Sequence, residues 1–227
     1  MEQIVRNAPS SASARPGGFT LIELLVVMAI MGIVAALIAP SFTSLIGSSG
    51  LAQAGEQIHD QLALARQEAV SKNREVQAVF MRLKDQSGSI EWRAIQLWAV
   101  KETFTGPDAE PLGKIAVFDT PIVISSNVAL SPLLSVEPYV PGPDPANNPT
   151  ADDKINAQLV QVVVKKGYSL EGWSRVRMKA NGSSDYRITT SKNFITVCSS
   201  LDHGNPPHNY ATIQINPITG KITTYRP

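Results

Sequence analysis

Glu23 is the only charged residue in an apolar run of 21 residues from Phe19 to Ala39. Gly17-Gly18 stands directly before that run, which makes Gly18–Phe19 a candidate cut site; hydrolysis there leaves a free amine on Phe19, four residues from Glu23. A carboxylate in hydrocarbon costs on the order of 3 kcal/mol unless something answers its charge, and buried charge persists mainly when paired and hydrogen-bonded. Other candidate groups are fewer. Cys198, His203 and His208 stand at intervals of five around Gly204-Asn205-Pro206-Pro207, but a structural zinc site wants four ligands and tighter cysteine spacing. Asp144, Asp152 and Asp153 fall in a Pro-rich stretch without an ordered calcium-ligand spacing, so a solvated acidic loop is the preferred reading. The chain has no Gly-x-Ser-x-Gly, no P-loop and no dinucleotide fingerprint. The expectation is a non-enzymatic protein with no cofactor and no metal.

A run of about 20 apolar residues is the length of a membrane-spanning helix. Arg6 and Arg15 outweigh Glu2 ahead of it, which keeps that end in the cytoplasm and sends the rest across. Three outcomes are open from the residues alone. A secretory signal could be cut after its apolar core near Val34-Ala35-Ala36, though that core is longer than usual. The run could stay as a plain anchor, or be cut before its start, at Gly18.

Residues 40–227 are enough for one domain with its own core, and the 43% apolar content excludes wholesale disorder. A single cysteine excludes an internal disulfide, so the chain is not a disulfide scaffold. The formal net charge of +1 conceals an asymmetry: Lys101–Asp153 holds two basic residues against eight acidic, and Lys154–Pro227 ten against three.

Pro40, Gly47, Gly50 and Gly55 predict a break or extended patch between Pro40 and Gly50. From Leu51 the steps of three and four through Ala54, Ile58, Leu62, Ala65 and Ala69 predict a helix with one apolar face, packed on a sheet and ending near Asn73. His59 reads as a flank residue. Strands are expected at Val76–Leu83 and Ile90–Val100 (a hairpin about Asp85–Ser89), then, more weakly, at Ile115–Phe118 and Ile122–Ile124. Further strands are expected at Leu159–Lys165, Val176–Met178, Ile188–Thr190, Phe194–Cys198 and Ala211–Ile215, with a hairpin turn over Asn216–Gly220 into Lys221–Tyr225. Cys198 lies in an apolar strand, as a buried inert thiol. Val136–Asp153, with Pro138, Pro141, Pro143, Pro145 and Pro149, reads as a long exposed loop. A long helix followed by many short strands is an α+β fold with the helix on an antiparallel sheet.

Gly18-Phe19-Thr20-Leu21-Ile22-Glu23-Leu24 resembles the cleavage and methylation motif of type IV prepilins and type II secretion pseudopilins. The resemblance implies a leader at 1–18, a cut after Gly18 by a prepilin peptidase, N-methylation of Phe19, and a transmembrane and filament-core helix at 19–39. It implies a helix continuation over 40–75, tolerant of melting after Pro40, and a β-rich head over 76–227: the pilin-like fold. It places the protein in the inner membrane as a single-pass protein with its head in the periplasm. The implied partners are the peptidase, other pilin-like subunits and the inner-membrane assembly platform. In such a filament the Phe19 ammonium of one subunit would pair with Glu23 of its neighbour, neutralising both and fixing axial register.

Leu62–Asn73 running into Val76–Phe80, and the closing segment Ala211–Arg226, resemble the H-type minor pseudopilins and FimT-like minor pilins; Gly220-Lys221 stands where their final strand often carries Gly-Arg. Arg93–Gln96, Pro111–Lys114 and Asn216–Pro227 are similar to the Verru_Chthon cassette D-type prepilin-like proteins. FimT-like proteins are linked to DNA uptake. The basic residues Lys165, Lys166, Arg175, Arg177, Lys179, Arg187, Lys192, Lys221 and Arg226, with Tyr186 and Tyr225 for stacking, are therefore a candidate nucleic-acid face. The preferred reading is that these charges are solvated, or meet the acidic 101–153 stretch of the same or a neighbouring subunit.

Overall fold

The computed structural model describes residues 19–103, 106–118, 122–125, 127, 129–135, 151–185, 193–202 and 204–226, with the backbone element alone for 38–48, 102–103, 106–107, 122, 135 and 151. The chain divides into two compact units, Met1–Ser44 and Leu45–Pro227. Helix α1, Leu21–Ser71, is assigned without interruption. The break expected between Pro40 and Gly50 is therefore not present. A proline deletes its own hydrogen bond but leaves those on either side, and each glycine costs only about 1 kcal/mol, which tertiary packing of an adjoining apolar face outweighs. In the first unit the described apolar side chains are exposed, among them Leu21, Met28 and Leu37.

In the second unit the stripe Leu51, Ala54, Ile58, Leu62, Ala65 and Ala69 is buried, as its spacing requires. The helix ends where Asn73 takes a left-handed φ of 47° and the Arg74 N–H returns to the Ala69 carbonyl at 3.1 Å, an asparagine-type C-terminal stop.

Eight antiparallel strands follow: β1 Val76–Lys84, β2 Ile90–Thr103, β3 Gly106–Val117, β4 Ile122–Ile124, β5 Ser169–Met178, β6 Phe194–Ser199, β7 Tyr210–Ile215 and β8 Ile222–Tyr225. The sheet order is β5-β1-β2-β4-β6-β7-β8, with β3 also on β2. The β1–β2 hairpin closes at Asp85, whose carboxylate accepts the Ser87 and Ser89 N–H groups at 2.9 and 3.0 Å. The β7–β8 hairpin closes on Asn216, which accepts from the Ile218 and Thr219 N–H groups, both at 3.0 Å. β3 is longer than the expected Ile115–Phe118, and β5 longer than Val176–Met178. Ile188–Thr190 lies outside the described residues.

The largest correction concerns Leu159–Lys165. It is not a strand but the second half of helix α2, Ala151–Lys165. The valine run suggested β structure, but the buried positions are Ile155, Leu159 and Val163, spaced by four, while Val160 and Val164 are exposed. Asp152 and Asp153 occupy the first turn and Lys165 the last, which suits the helix dipole. Gly167 follows with φ 82°, and the Tyr168 N–H returns to the Val163 carbonyl at 3.1 Å. The loop expected over Val136–Asp153 thus gives way to helix at Ala151, and 136–150 lie outside the described residues.

The sheet is covered on both faces. On one, α1 packs over Val76, Ala78, Phe80, Ile95, Leu97, Val176, Ile195, Val197, Ala211 and Ile213. On the other, Ile155, Leu159 and Val163 of α2 pack with Val79, Met81, Trp98 and Trp173. α2 is also held by polar contacts: Asp152 pairs with Arg175, Lys154 with Asp108 at 3.3 Å, and the Trp173 indole N–H donates to Asn156 Oδ1 at 3.1 Å. The chain is α+β, an N-terminal helix packed on a large antiparallel sheet, consistent with a pilin-like fold.

Candidate functional site at the start of the N-terminal helix

Phe19 is 84% exposed, and Gly18 lies outside the described residues. Immediately after Phe19 the first four N–H groups of α1 need acceptors that the helix cannot supply. Thr20 and Glu23 supply two of them reciprocally. The Glu23 N–H donates to Thr20 Oγ1 at 3.3 Å, and Glu23 Oε2 accepts from the Thr20 N–H at 3.0 Å and from the Thr20 hydroxyl at 2.9 Å. This is a capping box. It places a carboxylate at the positive end of the helix dipole and one turn from the residue that would carry the new amine. Both accepted bonds fall on Oε2; Oε1 has no partner among the described residues. The Thr-x-x-Glu spacing carries this signal in the sequence, beside the charge and the intersubunit pairing that the prepilin resemblance implies for Glu23.

The helix beyond is suited to an apolar environment. Every described side chain from Leu21 to Leu37 is exposed. Among the described residues no helix is long and apolar enough to cross a membrane.

The basic residues of the C-terminal half are not gathered into one face. Arg175 pairs with Asp152 and its guanidinium lies 6.0 Å from the Trp173 ring centroid. Arg177 Nε lies 3.7 Å from Glu75 and 3.9 Å from Asp185. Arg226 reaches Glu56 at 3.1 Å and the Ala52 carbonyl at 3.0 Å. Lys165, Lys166, Lys179 and Lys221 are exposed, but Lys166 lines a groove with Asp85 and Arg93, whereas Lys221 lines another against α1. Tyr225 is exposed; Tyr186, Arg187 and Lys192 lie outside the described residues.

The remaining candidates resolve locally. Cys198 is buried on β6; burial, with the Asp202 charge, raises its thiol to about 11, which keeps it protonated and inert. His208 is exposed with Nδ1 3.3 Å from Asp202, and His203 lies outside the described residues. Among the described residues no three His, Cys, Asp or Glu side chains gather to hold a metal. Asp202 instead ties its own loop, accepting from the Gly204, His208 and Asn209 N–H groups at 3.1, 2.6 and 3.3 Å; those bonds lower its carboxyl to about 2. Asp152 and Asp153 are helix residues, the second of them buried, rather than a solvated acidic loop; Asp144 lies outside the described residues. His59 is half-buried on α1 with Nδ1 3.2 Å from Thr224 Oγ1.

Arg66 was not singled out by its sequence context. Its Nε donates to the carbonyls of Thr219 at 2.9 Å and Gly182 at 3.3 Å, beside a Ser184 N–H to Pro217 carbonyl bond of 3.0 Å. These contacts join the loop after β5 to the β7–β8 turn, although β5 and β8 stand at opposite ends of the sheet order.

Comparison with known proteins bears on the N-terminal segment alone. No curated protein and no solved structure matches the chain. Residues 14–39 match the family model of the prokaryotic N-terminal methylation motif. That match spans Gly18, Phe19, Thr20 and Glu23; the motif is typical of type IV prepilin- and pseudopilin-like proteins, typically structural subunits rather than enzymes, and it implies an N-terminal hydrophobic anchor in the inner membrane and processing by prepilin peptidase.

Proposed function

We infer that the protein is a pilin-like structural subunit, minor rather than major, of a type IV pilus-like or type II secretion pseudopilus-like filament. Residues 1–18 are a leader cut after Gly18, Phe19 is the methylated N-terminus, and the helix from Phe19 serves as membrane anchor before assembly and filament core after it. The observation that carries this reading is the Thr20–Glu23 capping box, set one residue past the cut site at the head of a helix whose first turns are apolar but for Glu23. It holds the Glu23 carboxylate through Oε2, and a neighbour's Phe19 ammonium can meet the Oε1 that Thr20 leaves unused. A carboxylate bearing both the cap and an intersubunit ion pair explains how one charge is tolerated in that run.

Mass spectrometry of the mature N-terminus tests the processing: N-methylphenylalanine at Phe19 is expected, and a chain beginning at Met1 or Leu37 overturns it. For assembly, Glu23→Ala is expected to reach the membrane but to be missing from sheared filaments; normal incorporation would sink the role given to Glu23. Wild-type protein with methylated Phe19 that never accompanies filaments would point instead to a non-polymerising bitopic membrane protein.

A further inference from the structure

The groove between α1 and the β7–β8 hairpin has a volume of about 450 Å³. Three nitrogen-bearing side chains line it, His59, Arg66 and Lys221, beside the apolar Ala63 and Ile222, and no carboxylate does. The Arg66 guanidinium is set in place by its own Nε, which is committed to the Thr219 and Gly182 carbonyls. Its two terminal amino groups have no protein partner among the described residues, and the same holds for the Lys221 ammonium. The His59 ring is fixed by Thr224 Oγ1 at Nδ1. Of the nearby acidic residues on α1, Glu56 is taken by Arg226 at 3.1 Å, and Asp60 does not line the groove. A guanidinium held in place and an exposed ammonium, neither with an answering charge among the described residues, suit a carboxylate held bidentately by the guanidinium and approached by the ammonium.

We propose that this groove is a docking site for an acidic polypeptide segment of a neighbouring subunit, with Arg66 and Lys221 receiving its carboxylates and Ala63 and Ile222 its aliphatic stems. The identity of the occupant as a subunit rests on the filament reading above; the chemistry of the groove does not. A nucleic acid fits less well. A phosphate backbone needs cations along a track, whereas Arg175, Arg177 and Arg226 are paired within the chain and Lys166 lines a different groove beside Asp85.

The test uses the full chain in detergent with fluorescein-labelled octaglutamate as probe, read by anisotropy. Saturable binding that weakens with salt is expected, reduced at least tenfold by Lys221→Glu and left within twofold by Lys179→Glu. Lys221 is chosen because its side chain is exposed and has no partner among the described residues, whereas Arg66 also holds the fold. No saturable binding, or equal losses from the two lysine variants, overturns the proposal. So does a duplex DNA oligonucleotide that binds more tightly than octaglutamate and depends on Lys221. Methylated Phe19 without octaglutamate binding removes the groove proposal alone; binding without methylated Phe19 keeps the groove's chemistry and removes the filament neighbour.

Discussion

Arg66 and Thr219 lie 153 positions apart in sequence and 2.9 Å apart in the fold, the guanidinium Nε donating to the turn carbonyl. The same nitrogen reaches Gly182 O, so one side chain of α1 joins two loops from opposite ends of the sheet order. Bonds from a charged donor contribute on the order of 1.5–3 kcal/mol when shielded and less when solvent reaches them, as it does here. Arg66→Ala is expected to cost about 1–2 kcal/mol of stability, and Arg66→Lys to recover under half of it, because an ammonium cannot reproduce the planar donor geometry. Urea denaturation of the detergent-held chain, followed by tryptophan fluorescence, measures both.

Gly220 sits beneath that clasp with φ 62°, and a Cβ there would collide with the Gly182 carbonyl oxygen. That clash is against backbone, whereas the other near atoms, Arg66 Cδ and Nε at 3.0 and 3.1 Å, belong to a side chain. Gly220→Ala is therefore expected to destabilise by more than about 2 kcal/mol. Gly88 has φ 88° with nothing within 4 Å of its Cβ position, so Gly88→Ala carries only the conformational term, about 1 kcal/mol. A thermal melt that ranks the two equally would remove the role given to the Gly182 contact.

Helix α2 makes neighbouring positions respond unequally. Leu159 is buried against Trp173 and its neighbours, whereas Val160 is exposed. Leu159→Ala is expected to cost about 2–4 kcal/mol and Val160→Ala less than about 0.5 kcal/mol. Leu159, Val163 and Ile155 should form one sensitive set. Comparable losses at Val160 and Val164 would contradict the helix.

The Asp202 loop predicts a pH dependence with a definite sign. Three backbone N–H groups and His208 hold the carboxyl at about 2, below its ordinary value near 3.9. A carboxyl depressed by folding stabilises the native state fully above the unfolded value and ceases to do so as pH falls through the folded one. The stability difference between wild type and Asp202→Asn should thus be constant from pH 7 to about 5, shrink below pH 4, and be small near pH 2. A difference that grows on acidification would contradict the assignment.

What was legible in the sequence was periodic or local. The stripe Leu51–Ala69 fixes α1 because every third or fourth residue is buried; the Asp85 and Asn216 turns advertise themselves through side chains that bond their own backbone. Leu159–Lys165 has strand composition in its Val-Val-Val run, and the spacing of four that marks the helix emerges only when Ile155, just past the loop expected over Val136–Asp153, is set beside Leu159 and Val163. Pro40 lowers helix propensity without ending the helix, and nothing local distinguishes the two outcomes. Thr20 is legible as a cap, because Thr-x-x-Glu is a local spacing, even though Glu23 also reads as a charge in an apolar run. Arg66, the ion pairs of Arg175 and Arg177, and the approach of Gly182 to Gly220 join distant parts of the chain, and no local pattern encodes them.

With a helix on each face, the sheet has no solvent side where the two layers overlap. From Val76 to Met81 every β1 residue is buried, whichever way it points, and the strand is hydrogen-bonded along both edges, to β2 and β5. Loosening α2 alone would wet Val79 and Met81 but leave both ladders intact, and loosening α1 alone would do the same for Ala78 and Phe80. The amides of β1 that bond to β2 therefore stay shielded through the loss of either helix, which places them among the slow-exchanging amides of the described strands.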